Sequence, residues 1–230
     1  SLDVSISQAM ADLQGSYALV AMNHDTIYAA RDPYGNRPLC IGKLPNGYCI
    51  ASESCSLDTI GATFVRDVRP GETITLDADG IHSRDLAHPP QPAHCAFEYV
   101  YFARPDSTID GINVNLSRRR MGAILAREIA DELDVDVVIP VPDSGTSAAI
   151  GFAEASGIEF TPGILKNRYT GRTFIAPTQE MREQLVKLKL NPIREELEGR
   201  RIAVVDDSIV RGTTSKRLVA LLKERGAKEV

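Results

Sequence analysis

The residues best suited to chemistry lie near the end of the 230-residue chain, in Val204-Val205-Asp206-Asp207-Ser208-Ile209-Val210-Arg211-Gly212-Thr213-Thr214-Ser215. An apolar strand delivers two adjacent carboxylates to its C-terminal edge. A loop then carries Ser208, Arg211, Gly212 and three hydroxyl side chains into the start of a helix. Adjacent Asp206 and Asp207 can accept hydrogen bonds from vicinal sugar hydroxyls or help to hold Mg²⁺, which takes oxygen ligands. N–H groups at a helix N-terminus, with the hydroxyls of Thr213, Thr214 and Ser215, can enclose a phosphate. Gly212 lets the backbone approach closely or take a positive φ. An Asp pair alone reads more readily as a strand-end acid followed by a Thr cap; the full twelve residues do not.

Two further segments carry candidate chemistry. Val141-Pro142-Asp143-Ser144-Gly145 is a second strand-to-helix turn, where N–H groups and the Ser144 hydroxyl face the strand edge. Open parallel sheets bind ligands at that edge. Ser144 reads equally as a plain helix cap. Lys166-Asn167-Arg168-Tyr169-Thr170-Gly171-Arg172 places three cations in seven residues, which suits a diphosphate. On composition alone a solvated basic loop explains it as well.

The elements that must position these residues follow from periodicity. Residues 1–86 read as mostly β, with short strands at 16–22, 26–30, 38–42, 48–52, 72–76 and 80–84. Residues 87–96 hold three prolines in Ala87-His88-Pro89-Pro90-Gln91-Pro92 and read as a stiff linker. From residue 97 strands and helices alternate, as in a parallel α/β sheet. Helices are expected over 116–133, 144–156 and 213–225, and buried strands over 136–140, 163–165 and 201–206. Met121, Leu125, Ile129 and Leu133 recur every four residues, marking an expected packing stripe. Phe97-Glu98-Tyr99-Val100-Tyr101-Phe102 reads as an apolar–aromatic strand. Residues 226–230 look like the start of another strand, as if the chain were a piece of a longer one.

Composition narrows the function classes. The net charge of −5 argues against a general nucleic-acid binder. No apolar run is long enough for a membrane helix. Residues 166–217 carry a local excess of five positive charges, suited to a small polyanion. Cys40, Cys49, Cys55 and Cys95 contain no C-x-x-C pair. They read as reduced thiols of a cytoplasmic protein.

The segment 204–215 resembles the phosphoribosyl-pyrophosphate (PRPP) loop of type I phosphoribosyltransferases. Its particular form, Asp-Asp-Ser-Ile-Val-Arg-Gly-Thr-Thr-Ser, is similar to that of the amidophosphoribosyltransferase family. Residues 97–107, 141–145 and 166–175 are similar to that family's lead-in segment, pyrophosphate loop and flexible lid. Ala29-Ala30-Arg31-Asp32-Pro33-Tyr34-Gly35-Asn36-Arg37-Pro38-Leu39 and Ala51-Ser52-Glu53-Ser54-Cys55 look like the later half of its glutaminase domain, an N-terminal-nucleophile (Ntn) hydrolase fold.

The resemblance implies a mixed α/β and α+β chain: a partial Ntn-type domain (1–86), a linker (87–96) and a type I phosphoribosyltransferase domain (97–230). It implies formation of 5-phosphoribosylamine from PRPP and glutamine-derived ammonia, the first committed step of purine nucleotide synthesis. Asp206, Asp207, Lys166, Arg168 and Arg172 would be catalytic. Ser144, Gly145, Asp206, Asp207, Ser208, Arg211, Gly212, Thr213, Thr214 and Ser215 would bind PRPP. Ser144, Asp206 and Asp207 would hold Mg²⁺. Cys95 would be one ligand of a [4Fe–4S] cluster in the parent protein only. Purine nucleotides as feedback inhibitors and a homotetramer are further implications. The family's Cys-Gly start is absent here, where Ser1-Leu2-Asp3 stands. The chain is therefore expected to be truncated at both ends and unable to use glutamine. A nucleobase phosphoribosyltransferase and a non-catalytic PRPP or nucleotide sensor remain alternatives.

Overall fold

A computed structural model describes residues 2–85, 91–129, 132–167, 190–209 and 212–230. The chain packs as two units, residues 1–115 and 116–230.

In the first unit the alternating strands of the sequence form two antiparallel sheets. One joins Ala18–Met22 (β1), Ile27–Arg31 (β2), Glu72–Asp77 (β6) and Gly80–Asp85 (β7) in the order β1-β2-β6-β7. The other joins Cys40–Leu44 (β3), Gly47–Ala51 (β4) and Thr63–Asp67 (β5) in the order β4-β3-β5. Ala29, Leu39, Ile41, Val68, Ile74 and Leu76 form a shared core. Strand β5, helix Leu2–Ala11 (α1) and helix Ser54–Thr59 (α2) are present without having been read from the sequence.

Residues 97–107 correct the sequence reading. They form no strand; Glu98–Phe102 is a π-helical turn, closed by Ala103 N–H donating to Glu98 O at 3.0 Å. Its rings are not the buried part. Phe97, Tyr101 and Phe102 are exposed, while Glu98 is buried and paired with Arg37 at 2.8 Å. A short hairpin follows, Thr108–Ile109 (β8) with Ile112–Asn113 (β9), turning on Asp110 and Gly111, both at positive φ. Residues 97–115, assigned to the second domain by sequence, lie in the first unit. Glu53 accepts hydrogen bonds from Arg104 N–H and Ser107 Oγ, and Arg31 binds Asp110.

The second unit is built on a parallel sheet of Val137–Pro140 (β10), Glu159–Phe160 (β11) and Ile202–Val205 (β14), in the order β11-β10-β14. An antiparallel pair, Ile164–Lys166 (β12) with Leu190–Pro192 (β13), lies outside that sheet. Among the described residues four helices accompany it: Val114–Ile129 (α3), Thr146–Ser156 (α4), Arg194–Leu197 (α5) and Thr213–Glu224 (α6). One apolar cluster joins Val137, Ile139 and Ile202 to Leu218 and Leu222 of α6; a second joins Val138 and Val205 to Ala126, Ala149 and Phe152 of α3 and α4. The sheet is thus covered by helices on both faces, as its unbroken apolar strands require. A parallel bridge from Arg201 to Glu229 bears out the strand-like reading of the last residues.

Helix α3 keeps only part of its expected stripe: Ile129, with Leu133 beyond the helix, packs against the second cluster. Met121 and Leu125 are exposed, and Gly122 and Ala126 face inward instead. The cause is the closeness of α3 and α4. A Cβ on Gly122 would lie 1.9 Å from Ala148 O, and one on Gly151 would lie 2.0 Å from Arg119 O. Two backbones this near leave no room for large side chains between them.

Two predictions follow from this packing. Gly122→Ala should destabilise the protein by about 1–3 kcal/mol or more through overpacking, read as a lower midpoint of denaturant unfolding. In the first unit, burial pushes the Asp67 carboxyl up to about 6, and the charge of Asp110 adds to the effect. A carboxyl raised in the folded state gives stability that is present below its ordinary value near 4 and is lost as pH rises through 6. Asp67→Asn should therefore gain thermal stability relative to wild type between pH 4 and 6, with the difference level above pH 7. A difference independent of pH would contradict the assignment.

Candidate phosphate and sugar site

The site is set by the register of β10 on β14. Val137, Val138, Ile139 and Pro140 lie beside Ile202, Ala203, Val204 and Val205. Parallel strands in this register end at one level, so residues 141–145 and 206–209 leave the sheet at the same edge. A single oxygen joins the two loops. Val205 O accepts the Val141 N–H at 2.9 Å, and a Cβ on Gly145 would lie 2.5 Å from that same oxygen. Gly145 is therefore required by close approach of backbone to backbone.

Asp206 and Asp207 are both half-buried at this edge. Asp207 N–H donates to Asp206 Oδ1 at 2.8 Å, and Ser208 Oγ donates to Asp207 Oδ1 at 2.6 Å. Burial pushes the Asp206 carboxyl above the ordinary carboxylate range, and the negative charge of Asp207 adds to it. Among the described residues no cation pairs with either acid. Gly212 caps α6 with φ +68, the left-handed conformation that favours glycine. Gly145 caps α4. Both helices thus begin at a residue with no side chain to occupy their first N–H groups. The reading of Ser144 as the helix cap is not realised, because Ser144 precedes the cap.

Lys166 ends β12 and its Nζ donates to Asp143 Oδ2 at 2.7 Å. The structure therefore brings Ser144, Gly145, Asp206, Asp207, Ser208, Gly212 and Ser215 onto two neighbouring loops and the helix that follows, and ties Lys166 to the first loop. Asp143 had been given no role. Its signal was only its place between Pro142 and Ser144. Arg168, Arg172 and Arg211 lie outside the described residues, as do the side chains of Thr213 and Thr214.

These groups fit Mg²⁺. The donor set is hard oxygen, and Asp206 is a desolvated acid beside a second acid, a pair that a divalent cation relieves. Among the described residues no three His, Cys, Asp or Glu side chains converge as a metal cage. Mg²⁺ commonly needs only one or two carboxylates beside substrate phosphates. The iron–sulfur cluster is expected of the parent protein only, with Cys95 as one of its ligands. Cys95 is a half-buried single thiol, and Cys40 is buried with its thiol pushed up to about 12 by burial; a cluster needs converging thiolates.

A doubly covered parallel sheet with two glycine-edged loops and an acid pair at one edge fits the phosphoribosyltransferase type of domain that the sequence resembles. Comparison agrees. The phosphoribosyl transferase domain family matches residues 115–230, and the glutamine amidotransferase domain family matches residues 2–59. The amidophosphoribosyltransferase of Mycobacterium tuberculosis (strain H37Rv) is 50% identical over 232 residues, covering 99% of this chain and 44% of that protein. The Bacillus subtilis amidophosphoribosyltransferase is 48% identical over 230 residues, covering 100% of this chain and 48% of that protein. A solved structure of the B. subtilis glutamine PRPP amidotransferase, complexed with ADP and GMP, superposes with a TM-score of 0.92 at 48% identity, covering 100% of this chain and 50% of that one. The chain belongs to the amidophosphoribosyltransferase family. It spans about half the length of the curated relatives it matches.

Replacing Asp207 by Asn removes one of the two causes that raise Asp206 and leaves burial in place. The Asp206 titration midpoint should fall, remaining above the ordinary aspartate value. Carboxyl carbon NMR across pH 2–8 measures it; an unmoved midpoint would show that the two acids do not interact.

Proposed function

We propose that this chain carries the PRPP-handling part of an amidophosphoribosyltransferase, which forms 5-phosphoribosylamine from PRPP and glutamine-derived ammonia in purine nucleotide synthesis. The observation that supports it most is the placing of the Asp206–Asp207 loop against the 141–145 loop at one sheet edge. In this reading residues 1–86 belong to a glutamine amidotransferase domain, 87–96 are the linker and 97–230 belong to the transferase domain.

Asp206 and Asp207 accept hydrogen bonds from the two ribose hydroxyls and orient the ring. As the bond from C1 to the diphosphate breaks with oxocarbenium character, their charge also stabilises the ring. The N–H groups at the start of α6, with Ser208, Arg211, Thr213, Thr214 and Ser215, hold the 5′-phosphate. Ser144, through its hydroxyl and its N–H group, faces the diphosphate. Lys166, Arg168 and Arg172 close over it and exclude water. Asp206, Asp207 and Ser144 would hold Mg²⁺, which when bound neutralises charge on the leaving diphosphate. Ammonia attacks the opposite face of C1. Positioning and electrostatics account for the rate, with no covalent step on the protein.

The surroundings fit this reading. All four cysteines are free thiols, as in a reducing cytoplasm. Among the described residues no helix is long and apolar enough to cross a membrane. Leu116, Met121, Ile124 and Leu125 leave an exposed apolar face on α3, which suits a homotetramer. The bound ADP and GMP of the B. subtilis structure support purine nucleotides as regulators here.

The test is release of pyrophosphate from PRPP with Mg²⁺ and ammonia by the full-length polypeptide. The Asp206→Asn, Asp207→Asn double variant should lose activity by about 100-fold or more, with an unchanged circular dichroism spectrum. Wild-type turnover by that variant would remove both acids from the mechanism. Turnover needing a nucleobase in place of ammonia, or PRPP binding without turnover, would replace the proposed activity.

A further inference from the structure

Ser208 follows the acid pair on the edge loop and is exposed, as is Ile209 after it. The function proposed above counts it among the residues that hold the 5′-phosphate. A phosphate dianion offers only acceptor oxygens and so draws on donors. Ser208 has two, its backbone N–H and a hydroxyl with a single proton. The hydroxyl proton is already committed. Ser208 Oγ donates to Asp207 Oδ1 at 2.6 Å, the length of a charge-assisted bond from a hydroxyl to a carboxylate.

That bond is one half of a pattern. The Asp207 N–H donates to Asp206 Oδ1 at 2.8 Å. Each acid thus has its Oδ1 tied to the residue that follows it, the first by a backbone group and the second by a side chain. The two ties differ in origin. The first belongs to the turn of the chain and needs no particular side chain at position 207. The second exists only because residue 208 carries a hydroxyl. The last torsion of an Asp side chain is broad and soft. A bond at one oxygen fixes it and sets the direction of the other oxygen. Among the described residues no cation pairs with Asp207, so no charged partner does this in place of Ser208.

We propose that the Ser208 hydroxyl is a positioning group: it holds the Asp207 carboxylate so that one oxygen of each acid is presented to the sugar hydroxyls, while the phosphate takes its donors elsewhere on the loop. This rests on the function proposed above and sharpens it. Outer hydrogen bonds to a ligating carboxylate act in this way, through the group they orient. Without the hydroxyl, Asp207 samples its torsion, and a ligand that uses the acid must order it on binding. A ligand that uses only the phosphate donors is indifferent. Ser208 therefore contributes to telling a phosphorylated sugar from bare phosphate.

The experiment measures binding of ribose 5-phosphate and of inorganic phosphate, each with Mg²⁺, to the full-length polypeptide by titration calorimetry. Ser208→Ala should weaken ribose 5-phosphate about tenfold and leave inorganic phosphate within about twofold. Ser208→Thr, which keeps the hydroxyl, should bring ribose 5-phosphate back to within about threefold of wild type. In an Asp207→Ala background, Ser208→Ala should add less than about twofold, because the group it acts through is gone. Ser208 is exposed, so its substitution should leave the unfolding midpoint unchanged. Equal weakening of both ligands makes the hydroxyl a phosphate donor and overturns the proposal. So does an unchanged affinity of Ser208→Ala for ribose 5-phosphate, a failure of Ser208→Thr to restore it, or a full effect that persists without Asp207. A wild-type protein that binds inorganic phosphate as tightly as ribose 5-phosphate removes the sugar from the site; the proposed function then fails, and this inference with it.

Discussion

The carbonyl oxygen of Val205 is the point on which the candidate site depends. It ends β14, accepts the first N–H beyond β10, and sits so near Gly145 that no side chain fits there. One strand's loop is thereby positioned by the last atom of the other. The in-register pairing of Val137–Pro140 with Ile202–Val205 brings that atom to the right level. The helices α4 and α6 then start from the same edge, each behind a glycine, with the Thr146 N–H at the start of α4 taken by Asp143 O at 3.3 Å. A charged ligand at this edge would meet N–H dipoles, two carboxylates and Lys166, all carried on a sheet whose core strands are almost fully buried.

Much of this second unit was legible in the sequence. Runs such as Val137–Pro140 and Ile202–Val205 have no polar residue, and only strands covered on both faces are built that way. Helices α4 and α6 appeared within two residues of their expected limits. The loops were legible too, because glycine, paired acids and hydroxyls must be adjacent in sequence to act together at one turn. What failed was the first half of the α3 stripe, Met121 and Leu125, while Ile129 and Leu133 pack as expected. Periodicity assigns large apolar residues to the contact, but the contact between α3 and α4 is made by Gly122 and Gly151. Where two helices touch backbone to backbone, the smallest residues lie inside and the large ones are displaced outward to Met121 and Leu125.

The first unit was less legible, for a different reason. Residues 97–102 have the composition of a strand and form a π-helical turn. Their fate is decided by Glu98, which is drawn inward to Arg37, and by Arg104 N–H and Ser107, which meet Glu53. No local pattern reports a partner 50 or 60 positions away. The same holds for α2, whose Leu57 packs with Cys40 and Ala62, and for β5, which is placed by pairing with β3.

The two units thus use different materials for their joints. In the first, the decisive contacts are charged groups with every hydrogen-bonding site filled: Arg31 with Asp110, and Glu72 with Arg66, Arg69 and Ser83. Removing one partner of such a joint leaves a buried charge uncompensated, so each is strong only while complete. In the second, the joints are apolar strands and glycine contacts, and the charges of the site edge are left largely unspent. Burial and the charge of Asp207 raise Asp206, and among the described residues no cation pairs with it. A fold that satisfied those acids internally would have a more stable edge with nothing left to offer a metal ion or a sugar. The incomplete electrostatics of residues 206–207, set against the complete electrostatics around Arg31, separates the surface proposed to receive a ligand from the one that holds the chain in place.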